Sequence, residues 1–143
     1  VGADEDDDLA QVLSGKHFLA AEDNFLNAGI LTDLLEMEGA TVEIVENGQL
    51  AVERFERSEP GEFDAILMDV QMPVMNGHAA TRAIRALARA DAATIPIFAM
   101  TADAFVEDEK AALAAGMNAH VAKPLEIDEL RRAVDRFVEK GRS

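Results

Sequence analysis

The chain has no cysteine. No disulfide can brace the fold and no thiol can act as nucleophile or metal ligand, which fits a reducing compartment, and the cytoplasm is the expected location. Basic residues are scarce as well, with 13 Lys and Arg against 28 Asp and Glu and a formal charge of -15. Such a surface repels phosphate backbones and anionic lipid headgroups, so neither direct nucleic-acid binding nor membrane contact is expected. No apolar run approaches the ~18 residues needed to cross a bilayer, and the acidic start lacks the basic and then apolar order of a secretory signal. A soluble domain is expected.

What is present suits one compact core: 143 residues with 49% apolar content can fold without metal or disulfide staples. Asp4, Glu5, Asp6, Asp7 and Asp8 form a run that reads as a solvated linker or tail. Residues 1–14 are therefore set apart, and the folded domain is expected over 15–143. Beyond Gly15, short apolar runs at 17–21, 41–45, 63–68, 95–99 and 119–122 alternate with segments of helical period at 24–38, 49–57, 78–90, 104–115 and 127–139. This alternation predicts βαβ units and an α/β fold with a (βα)5 doubly wound parallel sheet, for which the flavodoxin-like order 2-1-3-4-5 is the expected one of the common doubly wound orders. In the first helical segment, Ile30, Leu31, Leu34 and Leu35 are expected to face inward and Phe25 outward. Gly39 and Gly116 stand where helix C-cap glycines are expected.

Polar residues interrupt the pattern at the strand ends. Glu22 and Asp23 follow the first strand, Asp69 the third, Thr101 lies two residues past the fourth, and Lys123 follows the fifth. In a parallel sheet these positions share the carboxyl edge, where ligands bind, and the expected strand order sets Glu22, Asp23 and Asp69 side by side. Three carboxylates that close repel one another, each pair by about 4 kcal/mol at ~4 Å and an effective dielectric near 20, so a cation is called for. An all-oxygen ligand set suits Mg²⁺, or Mn²⁺. Lys123 supplies a point charge for a phosphate oxygen and Thr101 a neutral donor. The set describes an acyl-phosphate site with Asp69 as nucleophile. Taken singly, each residue has a plainer role: Asp69 as a turn former, Glu22, Asp23 or Thr101 as helix caps, Lys123 as solvated surface. Five suitable residue types at one sheet edge favour the joint reading.

The segments Ala21-Glu22-Asp23-Asn24, Ile66-Leu67-Met68-Asp69-Val70-Gln71-Met72-Pro73, Met75-Asn76-Gly77, Met100-Thr101-Ala102 and Ala122-Lys123-Pro124-Leu125 resemble the motifs of response-regulator receiver domains. The resemblance runs from about Lys16 to Val138, and the Glu22-Asp23-Asn24 form with Asn27 is similar to receivers attached to hybrid histidine kinases. It implies a CheY-like domain that accepts phosphate from a phosphohistidine on Asp69. It also implies that Asp23, Asp69 and the Gln71 carbonyl ligate Mg²⁺ and that Glu22 holds a metal-bound water. Thr101 would contact the phosphoryl group, Lys123 would pair with it, and the Lys123-Pro124 bond would be cis. The resemblance places Thr101 and His120 at the switch positions, although a strand histidine by itself reads as core filler or a satisfied surface residue. Two departures are Glu22, where Asp is commoner in the family, and His120, where Tyr or Phe is frequent.

The expected partners are a histidine kinase or a histidine phosphotransfer protein, and the resemblance admits a homodimer on phosphorylation. Such a domain catalyses its own phosphorylation and dephosphorylation without being a turnover enzyme, although a parent chain could be a kinase. Two alternatives are a Mg²⁺-dependent aspartyl-phosphate phosphohydrolase and a receiver-like scaffold that is never phosphorylated. The former usually carries a second acid two residues after the nucleophile, where this chain has Gln71. A nucleotide- or flavin-binding reading fails because no glycine-rich phosphate loop follows the first strand.

Overall fold

The structure is a computed structural model that describes residues 11–70, 75–101, 106–122 and 125–138, with the backbone alone for 106–109. Strands β1 (His17–Ala21), β2 (Thr41–Val45), β3 (Ala65–Asp69), β4 (Ile97–Thr101) and β5 (Ala119–Ala122) form one sheet. Its order is β2-β1-β3-β4-β5 and every pairing is parallel, which is the expected flavodoxin-like arrangement. Helices α1 (Phe25–Met37), α2 (Gly48–Arg57), α3 (Gly77–Arg85), α4 (Val106–Ala115) and α5 (Ile127–Phe137) connect and cover the strands, with a short 3-10 turn at Ala90–Ala92.

Side-chain alternation along the strands divides the core in two. Leu19, Ala21, Ile66, Met68, Ile97 and Ala99 meet α2, α3 and α4 through Phe55, Ala80, Ile84 and Ala112. Phe18, Ala20, Leu67, Phe98, Met100 and Val121 meet α1 and α5 through Leu31, Leu35, Leu130 and Val134. Covered on both faces, β3 is buried along its whole length, as expected of a central parallel strand.

Helices α1, α2 and α3 start on the same device. Asn24, Asn47 and Asn76 each accept from the N–H three residues on, at 3.0, 2.8 and 2.9 Å, which satisfies an otherwise orphaned donor at a helix start. The expected stops at Gly39 and Gly116 have φ of 82° and 109°, which a side chain would oppose.

The structure departs from expectation in four places. Strands β3 and β4 begin two residues later than 63 and 95. Phe63 is clamped between the His17 ring and Arg54 below the ladder. At Ile95 the N–H donates to Asp91 and the carbonyl accepts from Arg85, so neither group is free for strand pairing. Helix α3 stops at Arg85 instead of reaching 90. Arg89 adopts extended backbone and donates to the carbonyls of Phe55 and Ser58 at the end of α2, and those bonds outweigh the helix propensity of the alanines around it. In α1, Leu31 and Leu35 are buried as expected and Phe25 is 90% exposed, but Ile30 is 52% exposed. The packed chain also reaches upstream of residue 15, since Leu13 is fully buried and Gly15 N–H donates to the Gly39 carbonyl at 2.9 Å.

Candidate functional site

The carboxyl edge of the sheet gathers the acids. Glu22 continues past β1, its N–H donating to the Val45 carbonyl at 3.0 Å, and its side chain is buried. Glu22 Oε2 accepts from the Asn24 N–H at 3.1 Å, which turns this carboxylate across the start of α1. Asp23 is exposed beside it. Asp69 is the last residue of β3, paired with Met100 of β4, and is 4% exposed.

One carboxylate oxygen from each of Glu22, Asp23 and Asp69 lies within 4.8 Å of the other two. This is the separation at which the acids repel strongly and a hard divalent cation is best accommodated, and a donor set made of oxygen alone favours Mg²⁺ over softer metals. Two of the acids are buried and one is open to solvent, so the cluster combines fixed ligand atoms with access from outside. The N-termini of α1 and α3 open on the same edge, and their dipoles partly offset the negative charge.

Asp69 is held by its own backbone. The Val70 N–H donates to the Met100 carbonyl at 3.2 Å, and the Gly77 N–H closes back on the Val70 carbonyl at 3.1 Å. A Cβ on Gly77 would lie 2.4 Å from the Asp69 carbonyl oxygen, so α3 can start this close to the strand end only with glycine there.

Thr101 is the final residue of β4, one step beyond the partner of Asp69, and pairs with Ala122, where β5 ends. Sequence reasoning set it two residues past the strand; it is on the strand, at the same edge. His120 sits inside β5 opposite Ala99. It is not among the acids but lines a cavity of about 320 Å³ with Leu113, Asn118, Arg136 and Phe137. Gln71, Lys123 and the Lys123-Pro124 bond lie outside the described residues. Sequence reasoning missed the asparagine caps, although Asn24, Asn47 and Asn76 each directly precede a helix, and it missed the close approaches at Gly48 and Gly77.

Among the described residues, no helix is long and apolar enough to cross a membrane. The chain is 36% identical over 149 residues to probable histidine kinase 5 of Oryza sativa subsp. japonica, covering 92% of this chain and 12% of that protein. It is 38% identical over 130 residues to the sensor protein GacS of Pseudomonas syringae pv. syringae, covering 89% of this chain and 14% of that one. The chain thus spans about an eighth of the length of these curated relatives. Among solved structures, it is similar to the receiver domain of a sensor histidine kinase from Pseudomonas aeruginosa PAO1, which carries a magnesium ion coordinated in its active-site cleft. That match has 39% identity and a TM-score of 0.77, and covers 87% of this chain and 98% of that one. It is also similar, at 28% identity and a TM-score of 0.73, to a Saccharomyces cerevisiae co-crystal of the histidine phosphotransfer protein Ypd1 with the receiver domain of Ssk1. That match covers 86% of this chain and 88% of the matched one. The family model described as the response regulator receiver domain matches residues 18–135, and with the acid cluster at the carboxyl edge of a 2-1-3-4-5 sheet the chain belongs to the receiver-domain family of two-component signal transduction.

Proposed function

We propose that this receiver takes a phosphoryl group from a phosphohistidine onto Asp69 and signals through the change in surface that follows. The observation that carries the reading is the grouping of Glu22, Asp23 and Asp69 within 4.8 Å, two of them buried. An Asp69 carboxylate oxygen attacks phosphorus, the new P–O bond forms as the P–N bond to the donor histidine breaks, and the departing ring nitrogen takes a solvent proton to leave as neutral imidazole. In dephosphorylation a water oxygen attacks phosphorus as the P–O bond to Asp69 breaks, which restores the Asp69 carboxylate and releases inorganic phosphate. Asp23 and Asp69 would hold Mg²⁺ directly, with the Gln71 carbonyl as a third ligand and Glu22 acting through a bound water. When bound, the ion supplies positive charge against the oxygens of the transferring group. Thr101 and Lys123 would hold the remaining phosphoryl oxygens, and Thr101 with His120 would carry the switch.

The donor reading draws on α1. Phe25, Leu26, Ile30 and Met37 are 90%, 73%, 52% and 81% exposed, an unusual density of large apolar groups for one helix facing water. The stripe starts two residues after Asp23. A helical histidine donor must come to this rim to reach Asp69, and the co-crystallised yeast receiver with its phosphotransfer protein supports a partner of that kind. By the same likeness to histidine kinases, the domain would be the receiver of a hybrid kinase acting in the cytoplasm.

Incubating the chain with a phosphohistidine-labelled histidine phosphotransfer protein tests the reading. Label should move to the wild-type chain in the presence of Mg²⁺ and not to Asp69→Asn. Failure of the wild-type chain to accept label, from this donor or from a histidine kinase, would overturn it.

A further inference from the structure

The residue beside the site that nothing in its chemistry would single out is Gly48, the first residue of α2. We infer that Gly48 is a positioning residue of the acyl-phosphate site, which holds the Asp69 backbone in place through Met75 and Gly77; the inference rests on the phosphoacceptor reading of Asp69.

Backbone conformation does not demand glycine here, because Gly48 is absent from the positive-φ glycines Gly15, Gly39, Gly61 and Gly116. Space does. A Cβ at Gly48 would fall 2.4 Å from the Met75 carbonyl oxygen and 2.9 Å from Ala80 Cβ, both inside the closest approach that packed atoms tolerate. Gly29, equally free of positive φ and also in a helix, would meet nothing within 4 Å. The start of α2 therefore rests directly on the backbone of Met75.

That contact leads to the nucleophile in two steps. Met75 is joined through Asn76, the cap of α3, to Gly77. A Cβ at Gly77 would lie 2.4 Å from the Asp69 carbonyl and 3.0 Å from Val70 Cα, so Gly77 rests on the Asp69 backbone as Gly48 rests on Met75. The two glycines form a stack of close backbone approaches running from α2 to the end of β3. Helix α2 is a firm support for that stack, since Ala51, Val52 and Phe55 are buried in the core. A side chain at position 48 would displace the Met75 segment more readily than it would lift α2, and the displacement would pass to Asp69. A misplacement of about 1 Å at a reacting group costs on the order of 10²-fold in rate.

The test compares Gly48→Ala with Gly116→Ala. Gly116 has φ 109°, and an added Cβ there would lie 3.1 Å from Arg85 Cγ and at an ordinary contact distance of 3.6 Å from Thr81 Cγ2; it follows α4 at the opposite edge of the sheet from the acids, so its substitution destabilises the fold through backbone strain and does not press on Gly48, Met75 or Gly77. For both variants and wild type, three quantities are measured: the urea midpoint, the Mg²⁺ dissociation constant by calorimetry, and the rate of phosphorylation by acetyl phosphate at saturating Mg²⁺. Gly48→Ala should bind Mg²⁺ and take up phosphate at least tenfold less well, while Gly116→Ala keeps both within twofold of wild type at a similar or larger loss of stability. The inference is overturned if Gly48→Ala matches wild type in both quantities, or if both variants lose function in step with stability. Should Gly48→Ala fail to fold, the wild-type protein decides: titration with Mg²⁺ must shift the amide resonance of Gly48 and leave that of Gly116 in place, and an unmoved Gly48 overturns the inference. A wild-type chain that neither binds Mg²⁺ nor takes up phosphate would instead refute the functional reading itself.

Discussion

Phe25→Ala separates docking from chemistry. At 90% exposure the ring contributes almost nothing to the fold, and a surface truncation of this kind changes stability by no more than about 0.5 kcal/mol. Its worth would appear only in a complex. Covering most of a phenylalanine removes roughly 150–200 Å² from water, worth at most ~4–5 kcal/mol at ~25 cal/mol/Å². Ordering costs at an interface leave about half of that, in the range of a binding hot spot, so roughly 2 kcal/mol or about 30-fold is expected. The assay measures the rate of phosphorylation twice on the same variant: from a phosphorylated histidine phosphotransfer protein below saturation, and from acetyl phosphate. The first rate should fall about 30-fold and the second should stay within twofold, because a small donor needs no docking helix. Equal slowing with both donors would mean that the substitution damaged the site, and no slowing with the protein donor would make Phe25 an ordinary exposed residue.

Asp23→Ala should weaken Mg²⁺ binding in calorimetry by more than Glu22→Ala does, the first losing a direct ligand and the second an outer group; equal losses would reassign the two roles. Amide exchange in α4 should change on adding beryllofluoride with Mg²⁺, more toward Val106 than toward Ala115, because Arg85 donates to the Gly116 carbonyl at 3.0 and 2.8 Å and pins that end of the helix; unchanged protection would place the switch elsewhere. The hydrogen bond from the Arg89 guanidinium holds the Asp91 carboxyl below its ordinary value of 3.8. The pair therefore stabilises the fold above that pH and its contribution is lost as pH falls through the depressed value. Urea midpoints of wild type and Asp91→Asn should accordingly converge in acid, and a gap that widens there would contradict the pairing.

Much of this molecule could be read before its structure. Strands β1, β2 and β5 span the expected residues because alternation, bounded by glycine or a polar strand end, is a local signal. Strands β3 and β4 were read too early because Phe63 and Ile95 are as buried as strand residues but spend their polar and aromatic groups on contacts from distant parts of the chain. Ile30 was misplaced because α1 carries apolar residues on every side, which leaves the phase of the buried stripe undefined. Leu13 follows an acidic run and belongs to no periodic segment, so its burial in the same core cluster as Phe18, Leu35 and Val134 is a tertiary fact. The acids of the site were legible because a parallel sheet carries every strand end to one edge. The supporting glycines were not, since Gly48 and Gly77 answer to backbone atoms that only the folded chain brings near.

The central claim is that Asp69 is a phosphoacceptor, and intact mass after incubation with acetyl phosphate tests it most directly. Wild-type protein should gain one phosphoryl group when Mg²⁺ is present and none when it is chelated, while Asp69→Asn, which keeps the shape of the side chain but not its nucleophilic oxygen, gains none under either condition. A wild-type chain that stays unmodified with Mg²⁺, or an Asp69→Asn chain that acquires a stable phosphoryl group, would contradict the account.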